Sequence, residues 1–118
     1  MQYTHFAFPR NTALLRQKLG IEQRSFVALF VGCLDQAHYF KGLDVLFEAI
    51  SIISRNMSKP FHLVIVGAGD MLSHYHEKAR SLEIDTLVHF VGRVSDEELP
   101  QYYQLADITI LRAHCQTF

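Results

Sequence analysis

Several features that would point to a partner or a compartment are missing from this sequence. No run of lysine and arginine occurs, and the 118 residues carry a formal net charge of −1 with the histidines neutral, which removes the electrostatic basis for nucleic acid or an anionic membrane as main partner. Long apolar runs are absent too. The longest, Phe26 to Val31, falls far short of the roughly 20 residues a membrane-spanning helix needs, and the polar start Met1-Gln2-Tyr3-Thr4-His5 is no signal peptide. Cysteine is scarce: Cys33 and Cys115 stand far apart and read as a small buried residue and a tail residue rather than a disulfide or a metal framework. The expected setting is therefore reducing and cytoplasmic, compatible with a peripheral position at a membrane in a full-length protein.

Catalytic signatures are equally sparse. No Asp-x-Asp is available to hold a divalent ion, and neither Ser nor Cys occupies a Gly-x-Ser-x-Gly elbow. His74 and His76 stand two apart on an expected helix and so diverge, while His38, His62, His89 and His114 fall on separate elements. No set has the spacing of a zinc site. What remains is an ordinary composition, 49% apolar and 19% charged, fit for one domain around one hydrophobic core.

The pattern within that composition is informative. Residues 1–24 read as a lead-in outside the core, with a short helix over Thr12–Leu19 that Gly20 ends. Phe26–Val31 is apolar without polar alternation, as in a strand covered on both faces. Leu43, Leu46, Phe47, Ile50 and Ile53 then recur at helical spacing between Gly42 and about Asn56. The unit repeats as a strand His62–Val66, a Gly67-Ala68-Gly69 turn, a helix over Asp70–Leu82 and a third strand Leu87–Val91 ending at Gly92. Ser95 and Glu98 have capping-box spacing, Pro100 defers the regular helix to its own position, and Asp107–Leu111 forms a fourth strand. Such alternation predicts an α/β, Rossmann-like parallel sheet of about four strands with flanking helices.

In such sheets ligands sit beyond the carboxyl ends of the strands. Lys41 and Gly42 open a helix there, so an ammonium, backbone amides and the positive end of a helix dipole converge as they would on phosphate; a solvated lysine at a plain helix start is the alternative. Gly67 and Gly69 permit close approach to a ligand, or simply form a tight turn with Asp70 as its cap. No third glycine follows, since Leu72 stands in its place, and this counts against a dinucleotide-dependent dehydrogenase. Arg93 and Val94 follow the third strand, where Arg93 either reaches phosphate or pairs with Asp96 or Glu97. Tyr102, Tyr103 and Leu105 read as the buried side of the last helix.

Taken in order, Leu29-Phe30-Val31-Gly32, Phe40-Lys41-Gly42-Leu43-Asp44-Val45-Leu46, Leu63-Val64-Ile65-Val66-Gly67-Ala68-Gly69, Val88-His89-Phe90-Val91-Gly92-Arg93-Val94 and Ala106-Asp107-Ile108 resemble the donor-binding, C-terminal domain of group-1 retaining glycosyltransferases of the GT-B fold. The resemblance spans residues 25–111 and implies a nucleoside-diphosphate-sugar donor, UDP-, GDP- or ADP-linked. It further implies transfer of a hexosyl group with retention to a glycan, lipid or small molecule, with no metal and no other cofactor. By the same resemblance Lys41, with Gly32 and Gly42, binds the donor diphosphate, and Gly67, Gly69, Arg93 and Val94 lie beside the nucleotide.

Two departures stand out. An arginine common in the family after the first-strand glycine is replaced by Cys33, leaving His38 or Arg93 to supply part of that charge. The tail 112–118 matches neither the family's Pro-Ser turn nor its glutamate pair, so no catalytic residue is expected within the chain. The reading is of a truncated domain that lacks its acceptor-binding N-terminal partner, is inactive alone and self-associates through an exposed edge strand. A non-catalytic nucleotide-binding or interaction module is the competing expectation, because fold does not determine function.

Overall fold

In the computed structural model, which describes residues 12–38 and 41–111, strands and helices alternate as the periodicity predicts. In chain order they are α1 (Ala13–Leu19), β1 (Phe26–Val31), a short 3-10 turn (Gln36–His38), α2 (Lys41–Ile53), β2 (Phe61–Val66), α3 (Leu72–Ser81), β3 (Val88–Gly92), α4 (Leu99–Leu105) and β4 (Ile108–Leu111). The tail 112–118, Phe40 and residues 1–11 lie outside the described residues, and the expectations placed on them go with them.

The four strands form one parallel sheet in the order β3-β2-β1-β4. Alternate residues of the two central strands point to opposite faces, and each face has its own apolar layer. Ala28, Phe30, Leu63 and Ile65 meet Phe47 and Ile50 of α2 and Tyr75 and Ala79 of α3. Val27, Leu29, Val31, Val64 and Val66 meet Leu15 of α1 and Tyr102 and Leu105 of α4. Burial on both faces is why these strands show no polar alternation.

One expectation changes here. The segment before β1 belongs to the core, because Leu15 and Ile21 are buried against the β1 and β2 side chains. The short helix ends as the glycine predicts: Gly20 is left-handed (φ 72°), its N–H bonds to Gln17 O at 3.2 Å and the Ile21 N–H to Arg16 O at 2.9 Å. The turn so formed carries Ile21 back toward the sheet.

Local chemistry sets the other boundaries. Ser95 Oγ accepts from the Glu98 N–H at 3.1 Å, and Glu98 Oε1 accepts from the Ser95 N–H at 3.3 Å, completing a capping box. Pro100 lies in the first turn of α4, which begins at Leu99, one residue before the sequence expectation. A first turn has no intrahelical acceptor for its amides, so the missing donor costs nothing there. At the far end, Asp107 clips β4 to β1: its Oδ2 accepts from the Val27 N–H and its own N–H donates to Val27 O, both at 2.8 Å.

The chain leaves β1 toward β2 and β3 and then returns through α4 to the other side of β1. At such a reversal, here between the carboxyl ends of β1 and β4, open α/β sheets generally place a ligand. No described helix is long and apolar enough to cross a membrane.

Among the described residues β4 pairs only with β1, and Ile108 is 48% exposed on it. An unpaired strand edge is a template for further pairing. We therefore expect concentration-dependent self-association of the 118-residue chain in sedimentation, reduced by Ile108→Lys; a monodisperse wild-type monomer across concentrations contradicts this.

Candidate functional site

The carboxyl edge of the sheet is held together by backbone. Beyond the last paired residues of β1 and β2, the Gly32 N–H donates to Val66 O and the Leu34 N–H to Ala68 O, each at 3.1 Å. The Met71 N–H donates to Leu34 O at 2.7 Å, and Asp70 Oδ1 accepts from the Gln36 N–H at 2.7 Å. Residues 32–36 are thereby laced along 66–71. A third strand end joins them, since the Gly67 N–H donates to Gly92 O at 2.9 Å.

This lacing accounts for the glycine pair. Gly67 has φ +145°, and a Cβ there would stand 1.8 Å from Gly32 O. A Cβ on Gly69 would stand 2.3 Å from the Leu34 carbonyl carbon. Real side chains do not tolerate such approaches, so both positions need glycine. The close approach they permit is taken by the protein's own loop backbone. Gly32, Gly67, Gly69 and Gly92 thus form one packed edge, to which no described hydrogen bond joins Lys41 or Gly42.

Lys41 is the first residue of α2, and its side chain is exposed. Gly42 follows, half-buried. Arg93, just past Gly92 (φ 74°), is exposed as well. Neither cation enters an ion pair among the described residues, so the alternative reading of Arg93, pairing with Asp96 or Glu97, is not formed. Val94 is half-buried and packs on the α1/α4 side of the core. Cys33 is buried but is disulfide-bonded rather than a plain thiol; this departs from the expectation drawn from cysteine scarcity.

Asp44, in the first turn of α2, is buried with two side chains of α3 beside it: His74 Nε2 at 2.8 Å and Lys78 Nζ at 3.7 Å. Lys78 also meets Glu48 Oε2 at 3.2 Å. His76, two residues from His74, instead lies against the ring of Phe90 with centroids 4.1 Å apart, so the two imidazoles diverge as helical spacing predicts.

A second histidine cluster was not visible in the sequence. His62, only 4% exposed, has Nδ1 2.9 Å from His89 Nε2, and its Nε2–H donates to Glu22 Oε2 at 3.1 Å. The Ser25 hydroxyl donates to the same carboxylate oxygen at 2.8 Å. The two histidines come from neighbouring parallel strands, where His89 is in register with Val64, two residues beyond His62 on the same face. The single sequence signal is that each is the second residue of its strand. The cluster lies at the amino ends of the strands, away from the glycine edge. Hydrogen bonds from His62 and then Ser25 hold the Glu22 carboxyl below its ordinary range, and burial, then the neighbouring His62, pushes His89 down. Among the described residues no group of His, Cys, Asp and Glu is arranged to hold a metal ion.

Comparison with known proteins gives this geometry a context. The family model described as glycosyl transferases group 1 matches residues 11–118, a span that includes the tail. The D-inositol 3-phosphate glycosyltransferase of Corynebacterium diphtheriae is 34% identical over 114 residues, covering 92% of this chain and 26% of the relative. The mannosylfructose-phosphate synthase of Agrobacterium fabrum is 31% identical over 121 residues, covering 94% and 26%. The chain thus spans about a quarter of the length of these relatives. Among solved structures, WaaG, a glycosyltransferase involved in lipopolysaccharide biosynthesis, superposes with a TM-score of 0.67 at 24% identity, covering 86% of this chain and 26% of that one; at that identity the likeness is one of fold.

Two outcomes follow from the geometry. Gly67→Ala loses about 3 kcal/mol of stability in urea denaturation, from backbone strain and collision with Gly32, and wild-type stability in that variant contradicts the lacing. Because folded His89 and Glu22 both bind protons less readily than in the unfolded chain, stability falls with acidification. The first loss comes as the pH drops below about 6.5, where unfolded histidine protonates, and a further loss comes below about 4.5, where unfolded glutamate does. Thermal melts from about pH 7.5 to about pH 5.5 should show the first loss, and His89→Gln should flatten it.

Proposed function

The chain belongs to the group 1 glycosyl transferases, and on that premise we propose that it is the donor-binding part of a retaining hexosyltransferase, with Lys41 and the first amides of α2 holding the diphosphate of a nucleoside-diphosphate sugar. The observation that carries this reading is an ammonium, unpaired among the described residues, at the first residue of a 13-residue helix beside the sheet's topological reversal. Diphosphate charge is stabilised there by three sources acting together: the ammonium, the first-turn N–H groups and the helix dipole. With those donors in place the diphosphate needs no metal bridge, and none is part of the proposal.

The remaining residues take supporting roles. Gly32 keeps the backbone close to the donor, while Gly67 and Gly69 act through the 32–35 loop that they allow to pack against them. Arg93 supplies a second cation near the nucleotide, offsetting the Cys33 position, and the backbone at Arg93 and Val94 faces the base. The base is uracil, guanine or adenine. The acceptor is a glycan, lipid or small molecule bound by a separate domain, because transfer requires donor and acceptor to be closed together away from water.

The test is direct. At least one of UDP, GDP and ADP should bind the chain in calorimetric or NMR titration, and Lys41→Ala should weaken it roughly tenfold or more, the scale of one charge-assisted hydrogen bond. No response to any of the three at about millimolar concentration, the weak end of specific binding, overturns the reading. Retained partner binding with unchanged nucleotide affinity in Lys41→Ala favours a non-catalytic module. The 118-residue chain alone should transfer no sugar.

A further inference from the structure

The segment from Gly32 to Lys41 links the glycine edge to the start of α2. Its near end is anchored on the residues just before α3: Leu34 O accepts from the Met71 N–H at 2.7 Å, and the Gln36 N–H donates to Asp70 Oδ1 at 2.7 Å. Its far end is anchored on α3 as well. Asp44 lies three residues beyond Lys41, and its side chain is 8% exposed. A carboxylate so buried persists only when partnered. His74 Nε2–H supplies a hydrogen bond at 2.8 Å, and Lys78 Nζ stands 3.7 Å away. Asp70 and Met71 immediately precede α3 and His74 lies in its first turn, so a single short stretch of chain holds both ends of the segment.

We propose that His74 is a positioning residue for donor binding: through buried Asp44 it clamps the first turn of α2 to α3 and so fixes where Lys41 stands relative to the Gly32 edge. This rests on the reading of Lys41 as a diphosphate ligand. His74 touches no substrate. It matters because the ammonium and the first-turn amides serve a diphosphate only when they converge, and a helix end left to fray spreads them. Lys78 is the weaker arm, being farther from Asp44 and shared with Glu48 at 3.2 Å.

The experiment compares wild type, His74→Ala, His74→Gln and the control His76→Ala. Amide hydrogen exchange at Val45 and Leu46, which close the first helical turn, reads the clamp without any ligand. We expect roughly tenfold faster exchange there in His74→Ala, the scale of one hydrogen bond to a charged group, with Ile50 and Ser51 unchanged as evidence of an intact fold. UDP, GDP and ADP titrations should show a loss of roughly tenfold or less in His74→Ala. His74→Gln, whose amide can also donate to Asp44, should recover most of both effects, and His76→Ala should show neither.

Wild-type exchange at Val45 and Leu46 in His74→Ala overturns the clamp whatever the nucleotide result. Faster exchange with unchanged nucleotide affinity overturns the positioning role and leaves Lys41 as the diphosphate ligand. Failure of wild type to bind any of the three nucleotides removes the donor reading and the positioning role with it, while the exchange data still report whether His74 holds the helix start.

Discussion

The carbonyl oxygen of Gly32 stands 1.8 Å from where a Cβ on residue 67 would be, and much of the molecule's arrangement depends on that space being left empty. With no side chain there, the parallel ladder between β1 and β2 continues past the strands into the loops, through Gly32 to Val66 and Leu34 to Ala68. The third strand is drawn in by the bond from Gly67 to Gly92. Three strand ends then act as one rigid edge, and the helices that follow them start from fixed points. A side chain at 67 or 69 would force the loops apart and shift the start of α2, which carries Lys41.

The two ends of the sheet treat charge in opposite ways. At the amino ends, Ser25, Glu22, His62 and His89 satisfy one another in a connected set. Ser25 and His62, buried and so partnered, contribute to stability and register. At the carboxyl ends Lys41 and Arg93 enter none of the ion pairs among the described residues. Cations left exposed beside a glycine edge are available to an anion, whereas the histidine chain has its capacity engaged within the protein. This asymmetry supports placing donor binding at the Lys41 end and a structural role at the His62 end.

Legibility followed the range of each interaction. The capping box of Ser95 and Glu98 and the left-handed stop at Gly20 lie within a few residues, so their chemistry is written in adjacent letters. The unbroken apolar runs of β1 and β2 announced burial on both faces. The pairing of His62 with His89 is separated by 27 residues and that of Asp44 with His74 by 30; each depends on how two elements pack, which no local pattern encodes. Gly67 and Gly69 fall between these cases. Their presence signalled a close approach, but only the packed loops show that the approaching group is the backbone of residues 32–35. The burial of Leu15 and Ile21 was hidden for a like reason, since a single helix of 7 residues is too short for its pattern to reveal a core face.

The sequence by itself determined the alternating α/β architecture, the boundaries of the central strands, the family resemblance and the candidate ammonium at a helix start. Each of these is carried by periodicity, by turn chemistry or by motif order, which are properties of neighbouring residues. Tertiary structure alone decided that the glycines serve a loop-to-loop contact, that two histidines from different strands share a hydrogen bond, and that α3 braces the start of α2 through Asp44. These rest on strand register and helix placement, and such long-range contacts form only once the apolar faces of distant segments have been buried together.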